Sequence, residues 1–133
     1  MSKAKLDNLV KIGQLKIEPF AQSEFDAYIR SGKERLQDAA SRGVSPSGKF
    51  LLGYAAAYAF SLAALRRLGY RPANRYVVFQ CLPHTLGVGV EVWRVLADAH
   101  DVRNGLEYEG SDEVTEDLIE QVIRCARVLG QML

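Results

Sequence analysis

From Phe50 to Leu65 the chain carries no charged side chain, and the stretch is crowded with Ala55, Ala56, Ala57, Ala59, Ala63 and Ala64. A helix through it is apolar on every side and has to be covered on every side. Ser45-Pro46 is a good entry to that helix, because proline in the first turn gives up no hydrogen bond, and Gly69 can close it after Leu68. The stretch falls short of the roughly 20 residues that a membrane crossing needs, and it holds Tyr54, Tyr58 and Ser61 in its interior. The expectation is therefore a central, wrapped helix of a bundle or dimer, with no membrane partner. Small alanines let the neighbouring backbones approach closely.

The segments around it also read as helices. Pro19, Pro46, Pro72 and Pro83 punctuate stretches of helical periodicity with little alternation of period two. A first helix is expected over Lys5 to Gln14, with Leu6, Leu9, Val10 and Gly13 on one face. A second starts near Ser23, where Asp26 three residues on suggests a capping box. Its stripe is Phe25, Tyr28, Ile29, Leu36, Ala39 and Ala40, and Gly43 is its stop. Gly32 sits inside it and weakens it locally. Arg75 to Leu82 is strand-like in composition, yet a lone strand has no partner, so a short helix is the better expectation. Further helices run from Val90 to about Tyr108 and from after Gly110, where Ser111, Asp112 and Glu113 suit a positive helix end. The last carries Val114, Leu118, Ile119, Val122, Ile123, Ala126 and Leu129 as its core stripe. With 133 residues, this amounts to one domain over 1–133. The expected fold is all-α: an up-and-down bundle of four to five helices, paired as a dimer.

A net charge of +1 argues against coating nucleic acid by bulk electrostatics, while leaving room for a local basic groove. Cys81 and Cys125 lie far apart and resemble neither a disulfide framework nor a zinc knuckle. That suits a reducing, cytoplasmic setting with no metal and no cofactor. The lysines at 3, 5, 11 and 16 are scattered among apolar positions with no apolar core behind them, so no secretory signal is expected.

The candidate site is a stripe on the helix from Val90. His100, Arg103, Asn104, Glu107 and Tyr108 follow the spacing i, i+3, i+4, i+7, i+8. They cover an arc of roughly 140°. The apolar flank of Val92, Val95, Leu96, Ala99, Val102 and Leu106 centres roughly 110° away. A solvated face usually carries Lys and Glu in no special order; an imidazole, guanidinium, amide, carboxylate and phenol together suggest a site. Glu107 can orient Arg103 one turn before it, or stand as an ordinary surface carboxylate. Arg66, Arg67, Arg71 and Arg75 gather at the end of the central helix. The simpler reading is that they complement its dipole and stay solvated; the functional one is a phosphate-attracting rim. Tyr54 and Tyr58 read as core filler rather than a stacking platform, Trp93 as a helix seam residue, and His84 as a loop or cap residue. Gly105, inside its helix, would be explained by close contact with a second subunit.

Two pieces in this order, GYAAAYAFSLAALRRLGYRP and then RNGLEY, resemble the HEPN domains, small all-helical proteins, over about Leu6 to Leu129. The resemblance implies a helical homodimer with the motif arginines in a cleft between the subunits. Many such proteins are metal-independent ribonucleases, often toxins paired with a nucleotidyltransferase antitoxin; others only bind nucleotides or partners. Their catalytic motif is an arginine, often followed by asparagine, then a histidine after a short gap. Carried over, these positions are Arg103, Asn104 and Tyr108, so this chain departs from the motif at its base. Tyrosine is mostly protonated at pH 7 and is a poor base, though it can donate to a phosphate or stack on a nucleobase. His100, one turn before Arg103, is a candidate displaced base, but an adjacent imidazole is more simply solvated or bonded to a carboxylate.

These residues imply a weak or inactive HEPN-like domain that uses Arg103, Asn104, Glu107 and Tyr108 to bind a nucleotide, RNA or partner protein. The alternatives are an active metal-independent endoribonuclease toxin, with Arg103, Tyr108 and His100 as catalytic residues, and a helical interaction module without a ligand.

Overall fold

The computed structural model describes residues 2–108 and 114–133, with the side chains of residues 2 and 108 outside that description. The chain is mostly helical. In order it forms α1 (Ser2–Lys11), β1 (Leu15–Ile17), α2 (Gln22–Ala39), α3 (Pro46–Arg67), β2 (Tyr70–Pro72), α4 (Arg75–Gln80), α5 (Leu82–Thr85), α6 (Val90–Tyr108) and α7 (Glu116–Gln131). The described residues thus hold seven helices rather than four or five, because the shorter segments fold separately instead of joining the long ones.

Helix α3 is the axis of the fold. Ser45 caps it by accepting a hydrogen bond from the Gly48 N–H at 3.0 Å, and Pro46 occupies its first turn. At the other end Gly69, at φ +90°, turns the chain into β2, a backbone conformation that glycine takes without strain. Helices α2 and α7 make the main contacts with α3, and α4, α5 and α6 also pack against it. Phe50, Tyr54, Ala56, Ala57, Phe60, Ala63, Ala64 and Leu65 are buried as a result. By length and composition α3 could cross a membrane, yet 67% of its apolar stretch is buried among this chain's own elements.

Alanine is not the only small residue that sets helix spacing. The ring of Phe60, 1% exposed, lies between Gly32 of α2 and Gly130 of α7. A Cβ at Gly32 would sit 2.5 Å from Phe60 Cε1, and one at Gly130 would sit 3.0 Å from Cε2. Gly32 therefore costs helix propensity but admits the ring. Gly105 is buried within this chain itself.

Several boundaries differ from expectation. α1 ends at Lys11, and Gly13, at φ +81°, belongs to the turn that follows. α2 begins at Gln22 after Ala21, which makes no side-chain cap; Asp26 instead accepts from Gln22 Nε2 at 2.8 Å. Gly43 lies in the loop beyond Ala39. α7 starts at Glu116, where Thr115 Oγ1 accepts from the Leu118 N–H at 3.1 Å and Glu116 and Asp117 supply the acidic first turn. Ser111, Asp112 and Glu113, expected to open that helix, lie outside the described residues. The segment of strand-like composition is helical, as α4 and α5, and His84 lies in α5. The two real strands, β1 and β2, pair antiparallel with Leu15 opposite Pro72 and Ile17 opposite Tyr70. Three residues each are too few to show period two.

In the basic cluster at the end of α3 the solvated reading holds for Arg67, which is exposed, and fails for Arg66 and Arg71. Arg66 is 2% exposed. Its Nε donates to Glu24 at 2.7 Å, Nη2 to the Pro19 carbonyl at 2.7 Å, and Nη1 to the carbonyls of Glu18 at 2.9 Å and Tyr70 at 3.3 Å. Arg71 donates to Glu18 and Glu24, each at 2.6 Å. Hydrogen bonds from Arg71 hold the Glu18 carboxyl below its ordinary range. Burial pushes Glu24 up, but its bonds to Arg71 and Arg66 outweigh that and bring it down. Arg66 and Arg71 thus clamp the β1–α2 connector to α3 and β2; they form no phosphate rim.

Candidate functional site

The stripe on α6 packs against α3 and α4, and this packing makes a cluster out of a row. His100 Nδ1 lies 3.1 Å from the Tyr54 hydroxyl of α3, and His100 Nε2 lies 3.3 Å from Asn104 Nδ2. Arg103 Nη1 donates to Asn104 Oδ1 at 3.3 Å, and Arg103 Nη2 pairs with Glu107 at 2.9 Å. The Arg103 guanidinium also lies 5.9 Å from the centre of the Tyr54 ring. His100, Arg103, Asn104 and Glu107 are therefore together. Tyr108 belongs to the same helix, but its side chain lies outside the described residues.

The hydrogen-bond roles follow from one group that can only donate. Guanidinium has no acceptor, so the Asn104 atom facing Arg103 is the carbonyl oxygen. The amide NH2 then faces His100, and Nε2 must offer its lone pair. A neutral imidazole with a bare Nε2 carries its proton on Nδ1, which donates to the Tyr54 oxygen. Arg103, Asn104, His100 and Tyr54 thus form a chain running in one direction, and it holds only while His100 is neutral. Burial lowers the His100 pKa; Asp101 opposes that shift, and the charges of Arg103 and Arg75 add to it. The imidazole is positioned, and its partners are an amide and a phenol rather than a carboxylate. Its Nε2 lone pair is engaged by Asn104, and the Arg103 charge by Glu107.

Two residues that sequence reasoning did not place here complete the cluster. Arg75, the first residue of α4, holds its guanidinium 4.4 Å from the centre of the Tyr58 ring, within cation–π range. Tyr76, its neighbour, sets its ring 6.0 Å from that of His100 and is 37% exposed. Asn74 caps α4 by accepting from the Val77 N–H at 3.0 Å, and Val77, Val78 and Phe79 anchor it in the core. A capping Asn followed by a basic–aromatic pair was the available signal. Tyr54 is core, as expected, and packs edge-on against Phe79 with ring centres 5.6 Å apart. Yet its hydroxyl also serves the site. Burial raises the pKa of Tyr54, against the charges of Arg75 and Arg103, and raises that of Tyr58 against Arg75. Both phenols stay protonated near neutrality.

The His100 shift carries a sign. Its folded-state pKa lies below the unfolded one, so its contribution to stability is complete above about pH 6.5 and is lost as pH falls from there through the lowered folded value. Between about pH 7 and about pH 5, wild type should lose more thermal stability than His100→Gln. The His100 ring resonances should titrate below about pH 6.5. Titration above that value would contradict the direction assigned to the chain.

Fold and site together define a class: a small helical domain in which guanidinium, amide, imidazole and phenol groups from three helices converge. No protein-family model matches the chain, and no curated protein matches it.

Proposed function

We propose that this chain is an HEPN-like domain that binds the phosphate and base of a nucleotide or RNA at the Arg103–Asn104–His100–Tyr54 cluster, with weak or no catalysis. In this reading the helices form an up-and-down bundle, two copies pair so that the cluster lies in a cleft between them, and the setting is cytoplasmic. A nucleotidyltransferase antitoxin is the corresponding partner. The observation that carries the reading is that chain of hydrogen bonds. It gathers cationic and aromatic groups of the kind that phosphates and bases bind. It also engages the groups that cleavage would need, the imidazole lone pair and the Arg103 charge.

The test is incubation of labelled RNA with wild type and Arg103→Ala, without metal. Wild type should retain the RNA uncut, and nucleotides should raise its thermal midpoint. Arg103→Ala should weaken binding about tenfold or more, the scale of a charge-assisted bond of roughly 1.5–3 kcal/mol. Cleavage by wild type that vanishes in Arg103→Ala would replace this reading with an active ribonuclease. The observation favouring that second reading is that His100 is neutral and positioned, so a swing of Asn104 would free a base. Neither binding nor cleavage, with loss of dimer in Arg103→Ala, would leave a helical interaction module.

A further inference from the structure

Arg103 carries the charge of the α6 stripe, but its 2.9 Å pair with Glu107 already engages it. The other site arginine differs. Among the described residues Arg75 makes no ion pair with a carboxylate; its guanidinium lies over the Tyr58 ring and acts on the Tyr54 hydroxyl by charge and hydrogen bonding. Stacking on the Tyr58 ring uses the face of the guanidinium and the Tyr54 hydroxyl takes part of its edge; the remaining N–H donors suit a planar acceptor such as phosphate. Arg66 and Arg71, by contrast, both spend their donors on Glu18 and Glu24. Tyr76 follows Arg75 directly. It is the exposed aromatic of the cluster, whereas Tyr54 is buried and Tyr58 half-buried. The three buried residues after it keep its backbone in place.

We infer that α4 supplies the ligand-contacting half of this site: Arg75 binds a phosphate and Tyr76 stacks a nucleobase, so the ligand is a base-bearing phosphate ester. Resting on the nucleotide or RNA reading above, the inference moves the first contact from Arg103 to Arg75 and assigns the α6 chain the task of shaping the floor. A free nucleotide and a nucleotide within single-stranded RNA share this chemistry.

The experiment measures polarisation of a fluorescein-labelled oligoadenylate, with adenosine, AMP and the unlabelled oligonucleotide as competitors, on wild type, Arg75→Gln, Arg75→Lys, Tyr76→Leu and Tyr76→Trp. Circular dichroism and thermal midpoints check each fold. Arg75→Gln should weaken the oligonucleotide about tenfold and reduce the slope of log affinity against log salt by about 0.7, one phosphate contact on a single strand. Arg75→Lys keeps the charge and should keep most of that slope, so the point stands even if the glutamine variant folds poorly. Tyr76→Leu should weaken binding about tenfold, and Tyr76→Trp should restore it, because stacking needs a ring of any kind. AMP should compete better than adenosine on wild type, and the gap should close in Arg75→Gln. Competition by AMP on a par with the oligonucleotide identifies a mononucleotide ligand; competition by the oligonucleotide alone identifies RNA. Arg75→Gln and Tyr76→Leu binding like wild type, while Arg103→Ala loses binding, would overturn the inference and leave the functional reading standing. A wild type that binds neither probe would overturn both.

Discussion

Arg66→Ala should destabilise the protein by about 1.5–3 kcal/mol, the scale of hydrogen bonds made by a charged group. That is a large share of the roughly 5–15 kcal/mol that holds a domain of ordinary stability. The cause is local and can be counted group by group. Arg66 is 2% exposed, and alanine would leave the Glu24 carboxylate without its bond at 2.7 Å and the carbonyls of Glu18, Pro19 and Tyr70 without a donor. Of these bonds the one to the Tyr70 carbonyl is buried, and a buried acceptor left unpaired costs about 1–3 kcal/mol; water and Arg71 can partly replace Arg66 at the others. Arg66→Lys should recover only part of the loss, because an ammonium is a point charge and cannot reach acceptors set around a planar fork. Urea denaturation checks this: a midpoint for Arg66→Ala close to wild type would mean that the connector between β1 and α2 is not clamped as described. Nucleotide or RNA binding should survive in Arg66→Lys, since the clamp and the His100 cluster are built from different residues.

The next largest effect should come from adding one methyl group. In an open helix Gly→Ala is stabilising by about 1 kcal/mol. At Gly32 the sign should reverse, with a net loss of up to about 2 kcal/mol, because overpacking a core costs about 1–3 kcal/mol. The new Cβ would lie 2.5, 2.6 and 2.9 Å from three atoms of the Phe60 ring, and Gly130 backs the same ring from α7. The ring has nowhere to retreat, so α2 has to shift away from α3. Gly32→Leu should be worse still. Pairing Gly32→Ala with Phe60→Leu should cost less than the sum of the two changes, since the smaller side chain relieves the overlap. Denaturation midpoints of the four proteins decide the matter, and a Gly32→Ala protein more stable than wild type would show that the α2–α3 contact is looser than these distances imply.

Gly32 also shows where local reading loses its hold. From its own neighbours it is a weakness in a helix; only Phe60, far along the chain, explains it. Arg66 and Arg71 are similar. Near a helix end a dipole argument covers them, and nothing adjacent announces that Glu18 and Glu24 fold over to meet them. The short strands escaped notice because three residues cannot establish a period. The α6 stripe was legible, since i, i+3 and i+4 neighbours share a face whatever else the chain does, and so was the Arg103–Glu107 pair. The reach of Tyr54 to His100 was not, because it spans two helices and depends on their crossing. Arg75 showed only as one member of a basic cluster, and Tyr76 did not show at all, for the same reason: α4 is too short to display a face of its own.

Periodicity, capping residues and an uncharged alanine-rich segment were enough to give a helical chain organised around its third helix, because those features act between residues a few positions apart. Which polar groups meet and which arginines are clamped were settled by packing. Hydrogen bonds and ion pairs act over a few ångströms, and those distances between separate helices come into being only when the helices dock.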